Sequence, residues 1–344
     1  MESLDRRHVR APRVTAAMVA ARAGVSTATV SLVANGKTQG RVSDDNISRV
    51  RTAISELGYV VDSIGSSLAR GVSSIVILVT PDVSNPFFAN VIAGVRESLG
   101  AEYQLLLSVT DAGESPQASD VRKLLALRPA GLLVGAPSAG FLEDLSAAAP
   151  LVLLDAPGLE SFAPSVNLDV AQGARELARH LASSGHTRAA YVDGITGTAT
   201  FQLRREAFLE EAASLGLVVS QEHIIRTAID VGAAAAAFAA AWPGWQREGV
   251  TAVVCGTDTH AYGMLQEARV EGVRIPEELA VAGFDDLPYS ATSNPSLTSV
   301  HLPATPLGRK AGEQLRGLME GRELSEPHVT LESSLVVRGS TVSS

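Results

Sequence analysis

Between residues 14 and 59 the apolar positions recur at helical spacing in three short groups, each bounded by capping chemistry. Thr15 stands where an N-cap belongs for a helix over Ala16–Ala23, which Gly24 ends. Ser26 is placed to cap a second helix over Thr27–Ala34, ended by Asn35 and Gly36. Ser43 is a third cap, with Asp44 and Asp45 at the positive end of the following helix dipole. Ile47, Val50, Ile54 and Leu57 then fall on one helical face, and Gly58 stops the run. Two helices across a tight glycine turn predict a helix-turn-helix, with Val19, Ala23, Val25, Val30 and Val33 as its core against the face of the third helix. From residue 72 the pattern changes to continuous apolar runs at 75–79, 105–109, 131–134, 151–154, 189–192, 250–254 and 279–282. Such runs, each followed by a helical stretch, predict buried parallel strands of a doubly wound α/β body. About ten strands exceed one comfortable open sheet. Two sheets are therefore expected, divided near Ser165, with a ligand cleft between them at the strands' carboxyl ends.

Composition narrows this picture. A chain of 344 residues, 46% hydrophobic and 19% charged, has ample apolar material for more than one core. No apolar run reaches the roughly 18 residues of a membrane span; the longest, 233–242, is mostly alanine. The start, MESLDRRHVRAPR, has charges but no apolar block after them, so no secretory signal and a cytoplasmic location are expected. A lone cysteine, Cys255, excludes an internal disulfide and a cysteine-built zinc site, and reads as a small core residue. The net charge of −9 conceals an asymmetry: residues 1–70 carry +4 and the remainder −13. A small basic module on a large acidic body suits a polyanion at one end only.

Enzyme signatures are missing. The sequence has no GxxxxGK[ST] loop, GxSxG elbow, HExxH or GxGxxG, and its seven histidines are scattered. No catalytic residue, cofactor or metal is expected. The GVSTATVSLVANGK segment is more informative. Its outward positions Thr27, Ala28, Ser31 and Leu32 are short or apolar, and hydroxyls at a helix N-terminus can hold phosphate while the first turn enters a major groove. An ordinary three-helix scaffold has the same bare pattern.

VTAAMVAARAGVSTATVSLVANGK, then ELGYV and DSIGSSLARG, resembles the DNA-binding region of the lactose-repressor (LacI/GalR) family of bacterial transcription regulators. The resemblance continues through VTPDVSNPFF, GTDTHAYGML, VAGFDDLPYS, LTSVHLPATPLG and VVRGS, covering essentially the whole chain in order. It implies a fold of an all-α helix-turn-helix domain plus an α/β body like the periplasmic sugar-binding proteins, two Rossmann-like subdomains joined by three crossovers. By the resemblance, Thr27 and Ala28 match the main base-reading pair and Leu68 the leucine wedged into the minor groove. Thr15, Ser26, Thr29, Ser31, Leu32 and Asn35 complete the DNA-binding set. Asp155, Arg204, Thr257, Asp285 and His301 match effector contacts, with Asn85, Phe87 and Phe88 on the other wall. The residues themselves agree in part: Asp155, Thr257 and Asp285 each follow an apolar run, where strand ends deliver side chains to a cleft. A guanidinium with two carboxylates can grip vicinal hydroxyls. Read without the resemblance, Asp285 and Asp286 cap the next turn and Arg204 is a solvated helix residue. The chain departs from the family at Leu32, Ala156, Thr257 and His301, where relatives often carry arginine, arginine, asparagine and glutamine.

The resulting expectation is an effector-responsive repressor, not an enzyme, that binds a palindromic double-stranded operator as a homodimer or tetramer, with a sugar or similar polar metabolite as effector and no membrane partner. The expected divisions are a basic arm over 1–13, the DNA-binding domain over 14–60, and a hinge linker over 61–72. An effector-binding and dimerisation domain follows over 73–340, with an N-subdomain of about 73–165 plus 303–322 and a C-subdomain of about 166–297 plus 323–340. Within the linker, 62–71 is expected to become helical only on DNA, since Gly65, Ser66 and Ser67 are poor helix formers. The alternative, a stand-alone sugar-binding protein for uptake, needs a signal peptide and has no use for residues 14–60.

Overall fold

The computed structural model describes residues 14–59, 73–81, 83, 85–109, 125–137, 142, 149–195 and 197–342. The chain divides into two compact units, Met1–Val72 and Ser73–Ser344. In the first, α1 (Ala16–Ala23), α2 (Thr27–Ala34) and α3 (Asp44–Leu57) each start on a hydroxyl: Thr15, Ser26 and Ser43 accept from the backbone N–H of Met18, Thr29 and Asn46. Gly24 and Gly58 close α1 and α3 at φ of 65° and 64°, the left-handed conformation that a side chain disfavours. Val19, Ala20, Ala23, Val30, Val33, Val50 and Ala53 form the core, with Val25, Ile47, Ile54 and Leu57 packed on it. These are the helices and the core that the apolar pattern predicts. Arg22 bridges to Glu56 across α1 and α3 at 2.6 Å, an exposed pair that contributes under about 1 kcal/mol. Leu68 and the predicted 62–71 segment lie outside the described residues, as does the 1–13 arm.

Among the described residues the second unit holds two six-stranded sheets. The first contains β1 (Ile75–Thr80), β2 (Gln104–Val109), β3 (Gly131–Gly135), β4 (Leu151–Leu154), β5 (Ser165–Asp169) and β11 (His328–Glu332), all parallel in the order β11-β5-β4-β3-β1-β2. The second contains β6 (Ala189–Gly194), β7 (Ile224–Thr227), β8 (Ala252–Cys255), β9 (Ala280–Asp285), β10 (Thr298–His301) and β12 (Ser334–Val336), in the order β12-β10-β9-β8-β6-β7 with only β12 antiparallel. Helices α4 (Pro86–Leu99) and α9 (Ala304–Met319) pack together beside the first sheet. Helices α5 (Val170–Ser183) and α6 (Ala199–Ser214), and α7 (Val231–Glu248) and α8 (Asp258–Val270), pair beside the second. The alanine-rich run at 233–242 lies in α7, which buries Phe238, Trp242 and Trp245 in the core with Val253 and Val281; Cys255 is buried there too. No single helix among the described residues is long and apolar enough to cross a membrane.

Two expected boundaries move. Ser165–Asp169 pairs with β4, so the first crossover between sheets falls at Asp169–Val170 and not at 165. His328–Glu332 pairs with β5 in the first sheet, so the return to the second sheet falls after Ser333 and not at 323. β4 also breaks the expected alternation, because residues 155–164 turn straight into β5 with no helix between them. At the third crossover Ser333 ties two of the passages together: its Oγ accepts from Gly173 N–H at 3.1 Å and donates to Asp169 C=O at 2.5 Å.

Candidate functional site

On the first unit, Thr27, Ala28 and Ser31 are exposed on one side of α2 and Leu32 is half-buried beside them. Ser26 Oγ accepts from Thr29 N–H at 3.1 Å and lies 3.0 Å from Thr29 Oγ1. Thr15 Oγ1 accepts from Met18 N–H at 3.4 Å. Both caps keep an oxygen lone pair at the positive end of a short helix, and the first N–H groups of α2 have no helical acceptor. Asn35 closes α2, its Nδ2 donating to Ser31 C=O at 2.7 Å. The face is small and neutral, shaped for close approach to another surface.

In the second unit, strand ends and helix starts converge on a cleft. Asn85 caps α4, its Oδ1 accepting from Phe87 N–H at 2.9 Å, and its Nδ2 donates to Asp285 Oδ2 at 3.5 Å, from one sheet's half to the other's. Phe87 meets Phe88 edge to face at 5.4 Å; both line a small apolar recess with Leu78, Thr80, Leu154 and Asp155. Asp155 follows β4 at φ 51° and accepts from Thr200 Oγ1 at 2.9 Å. Arg204, on α6, is 4% exposed, which overturns the solvated-helix reading. Its guanidinium lies 5.0 Å from the Phe201 ring centre and 4.5 Å from that of Phe284, and it donates to Gly256 C=O. Asp285 ends β9 at φ 109° and is buried.

The remaining two candidates stand differently. Thr257 is buried as the cap of α8: its Oγ1 accepts from His260 N–H at 3.2 Å and shares a hydrogen bond with His260 Nδ1 at 3.1 Å. That leaves little of the hydroxyl for a ligand. His301 is in register with Asp285 but sits exposed on the rim, with Nδ1 3.1 Å from Asp286 Oδ2, while Arg338 holds the other Asp286 oxygen at 2.7 Å. The sequence reading missed Thr200 and Phe201, although they lie four and three residues before Arg204 and so share its helical face. It also missed Asp258, which accepts from Leu287 N–H and from Ser290 and Ser299 hydroxyls.

Burial governs the electrostatics. It raises Asp155, opposed by the Thr200 hydrogen bond and the Arg204 charge. It pushes Asp285 up to about 8, opposed chiefly by Arg204. Asp258 rises to about 6 for the same reason, opposed by its hydrogen bonds from Ser290 and Ser299. Two buried carboxyl groups thus feel one guanidinium charge in a poorly solvated cleft, an arrangement that can both accept hydrogen bonds and, from a protonated carboxyl, donate them.

A pH dependence follows. With its folded pKa above the unfolded 3.8, Asp285 contributes stability that is fully present below 3.8 and lost as pH rises through about 8. The melting temperature of the unliganded protein is therefore expected to fall between about pH 4 and 8, and Asp285→Asn to flatten that fall. Identical slopes for the two proteins by scanning calorimetry would show that Asp285 carries no such shift.

Residues 17–62 match the family described as bacterial regulatory proteins, lacI family, and residues 178–341 match the periplasmic binding protein-like domain. The chain is similar to the HTH-type transcriptional repressor CytR of Escherichia coli K12, 28% identical over 329 residues that span 94% of this chain and 95% of that protein. It is similar to a solved LacI family transcriptional regulator from Mycobacterium smegmatis, 31% identical with a TM-score of 0.65, covering 78% of this chain and 98% of that one. It is also similar to the transcriptional regulator CelR–cellobiose complex, 27% identical with a TM-score of 0.69, covering 95% and 100% of the two chains.

Proposed function

The chain belongs to the lacI family of bacterial regulatory proteins, and from that we propose that it is a cytoplasmic, homodimeric transcriptional repressor without catalytic activity, whose affinity for a palindromic operator is set by a small polar effector. The observation that carries this reading is the presence in one chain of a helix-turn-helix with Thr27, Ala28 and Ser31 exposed, and of a cleft where Asp155, Arg204 and Asp285 meet. Residues 14–60 bind DNA, with Thr27 and Ala28 reading bases, Thr15, Ser26, Thr29, Ser31, Leu32 and Asn35 around them, and Leu68 of the 61–72 linker in the minor groove. Asn85, Phe87, Phe88, Asp155, Arg204 and Asp285 hold the effector, with His301 and Thr257 as outlying members of the set. A neutral sugar is the favoured effector, in keeping with the cellobiose named for one relative and with the carboxylate-rich cleft. Its binding closes the halves formed by 73–169 plus 304–332 and by 170–301 plus 334–340, and the difference in effector affinity between open and closed forms is the coupling.

The test has two arms. Selection of DNA from a random pool is expected to enrich a palindrome, with affinity falling steeply as salt rises. A thermal-shift screen of neutral mono- and disaccharides, cellobiose included, is expected to find a stabiliser, worth about 2.7 kcal/mol at one hundred times its dissociation constant. A sugar hit with no palindrome enriched would favour the uptake-type binding protein and sink the repressor.

A further inference from the structure

Asp285 and Asp286 both hold left-handed backbone, at φ 109° and 53°, at the point where β9 enters the cleft. Non-glycine residues in that region are strained, and the conformation persists only where the surroundings hold it. Arg338 and His301 hold the Asp286 carboxylate and Asn85 the Asp285 carboxyl, while the backbone of the turn is held by one buried side chain from α8. Asp258, wholly buried, takes Leu287 N–H on Oδ2 at 2.8 Å and Ser290 Oγ on the same oxygen at 2.5 Å. Its other oxygen accepts from Ser299 Oγ at 2.6 Å, and Ser299 Oγ in turn accepts from Asp286 N–H at 3.0 Å. Two successive backbone N–H groups of the turn therefore end on Asp258, one directly and one through a hydroxyl. Tyr262 OH, 2.7 Å from Ser290 Oγ, closes the same cluster.

The room for this carboxylate is made by a glycine. A Cβ on Gly283 would collide with Asp258 Oδ1 and come within 3.3 Å of Asp258 Cα, so β9 passes α8 only because position 283 has no side chain. Each donor to Asp258 is itself buried or faces inward, and a carboxylate is the acceptor that can satisfy three donors with two oxygens. An asparagine there would turn an N–H₂ group toward one of them.

We propose that Asp258 is a positioning residue of the effector site: by anchoring the 285–287 turn it aims the Asp285 carboxylate at the ligand, and effector affinity depends on it although it touches no ligand itself. The inference rests on the reading of Asp285 as an effector contact.

The experiment uses the full-length protein and the variants Asp258→Asn, Ser299→Ala and Asp285→Asn. Hydrogen exchange followed by NMR reads the anchoring directly: the Asp286 and Leu287 amides are expected to exchange at least tenfold faster in Asp258→Asn, and the Asp286 amide alone in Ser299→Ala. Calorimetry with cellobiose, D-glucose, D-galactose, D-ribose and D-xylose reads the function. For whichever of these binds the wild type, Asp258→Asn and Ser299→Ala are each expected to weaken binding at least tenfold while operator affinity in the sugar's absence stays within twofold. In an Asp285→Asn background the Asp258→Asn effect on sugar affinity should vanish, whereas a change that merely loosens the fold would persist there. Unaltered exchange at 286 and 287, or undiminished sugar binding in Asp258→Asn, overturns the inference. Unaltered sugar binding in Asp285→Asn, or no binding of any of the five sugars, overturns the reading of the site instead, and the exchange rates still decide whether Asp258 holds the turn.

Discussion

Gly308→Ala is expected to lower the melting temperature of the protein's effector-binding body by about 6–12 °C. A Cβ at 308 would collide with Val91 C=O and reach 2.9 Å from its carbon; across the same interface a Cβ on Gly94 would collide with Thr305 C=O and come 2.8 Å from Arg309 N. The obstacle is backbone on both sides, so no rotamer change relieves it and α4 and α9 must move apart. Overpacking of a close-packed interface costs typically 1–3 kcal/mol and occasionally more. An expected cost of about 3 kcal/mol, at roughly 2–4 °C per kcal/mol for a body of this size, gives that shift. The consequence reaches function, because α4 begins at Asn85 and carries Phe87 and Phe88. Gly244→Ala is the control: it lies inside α7 with nothing within 4 Å of its added Cβ, so helix propensity alone should leave it neutral or slightly stabilising. Melting temperatures for the two variants within about 2 °C of each other would show that the α4–α9 contact yields freely.

How much of this was legible in the sequence depends on whether the relevant chemistry is local. The three N-terminal helices were readable to the residue because Thr15, Ser26 and Ser43 start them, Gly24 and Gly58 stop α1 and α3, and Asn35 closes α2. β1, β3 and β4 announce themselves as apolar runs buried on both faces. β5 and β10 do not, since they bury polar side chains whose partners lie outside the strand, 11 and 40 residues away: Asn167 Oδ1 accepts from Ala156 N–H, and Thr298 Oγ1 donates to Arg338 C=O. β11 and β12 are adjacent in sequence yet belong to different sheets, a choice made by long-range pairing with β5 and β10 that no local pattern encodes.

The site divides along the same line. Asp155 and Asp285 came from the resemblance, with their place at the ends of apolar strands in agreement. Arg204 came from the resemblance with no local support, because its burial depends on Phe201 and Phe284 beside it from two elements. The role of Asp258 was invisible, since its three donors come from residues 29 to 41 positions away.

At Arg204 the other large effect is expected: Arg204→Ala should weaken binding of the responsive sugar at pH 7 by at least a hundredfold, while operator affinity without sugar stays unchanged. The guanidinium is the charge that opposes the burial of both Asp155 and Asp285. Without it both carboxyl groups are driven further toward the protonated form, so the site loses a donor together with the charge that favours ionisation of Asp155 and Asp285. Leaving a buried polar partner without its hydrogen bond costs about 1–3 kcal/mol, more for charged groups, and a hundredfold in affinity corresponds to about 2.7 kcal/mol, so the predicted loss is within reach of the mechanism. Arg204→Lys should recover only part of the loss. An ammonium is compact and strongly hydrated, and it cannot lie flat between two phenyl rings as a guanidinium does. The measurement is isothermal titration with the sugar found by thermal shift, alongside fluorescence anisotropy on the selected operator. Sugar affinity within threefold of wild type in Arg204→Ala would mean that the effector is held elsewhere and that the two carboxylates serve the fold alone.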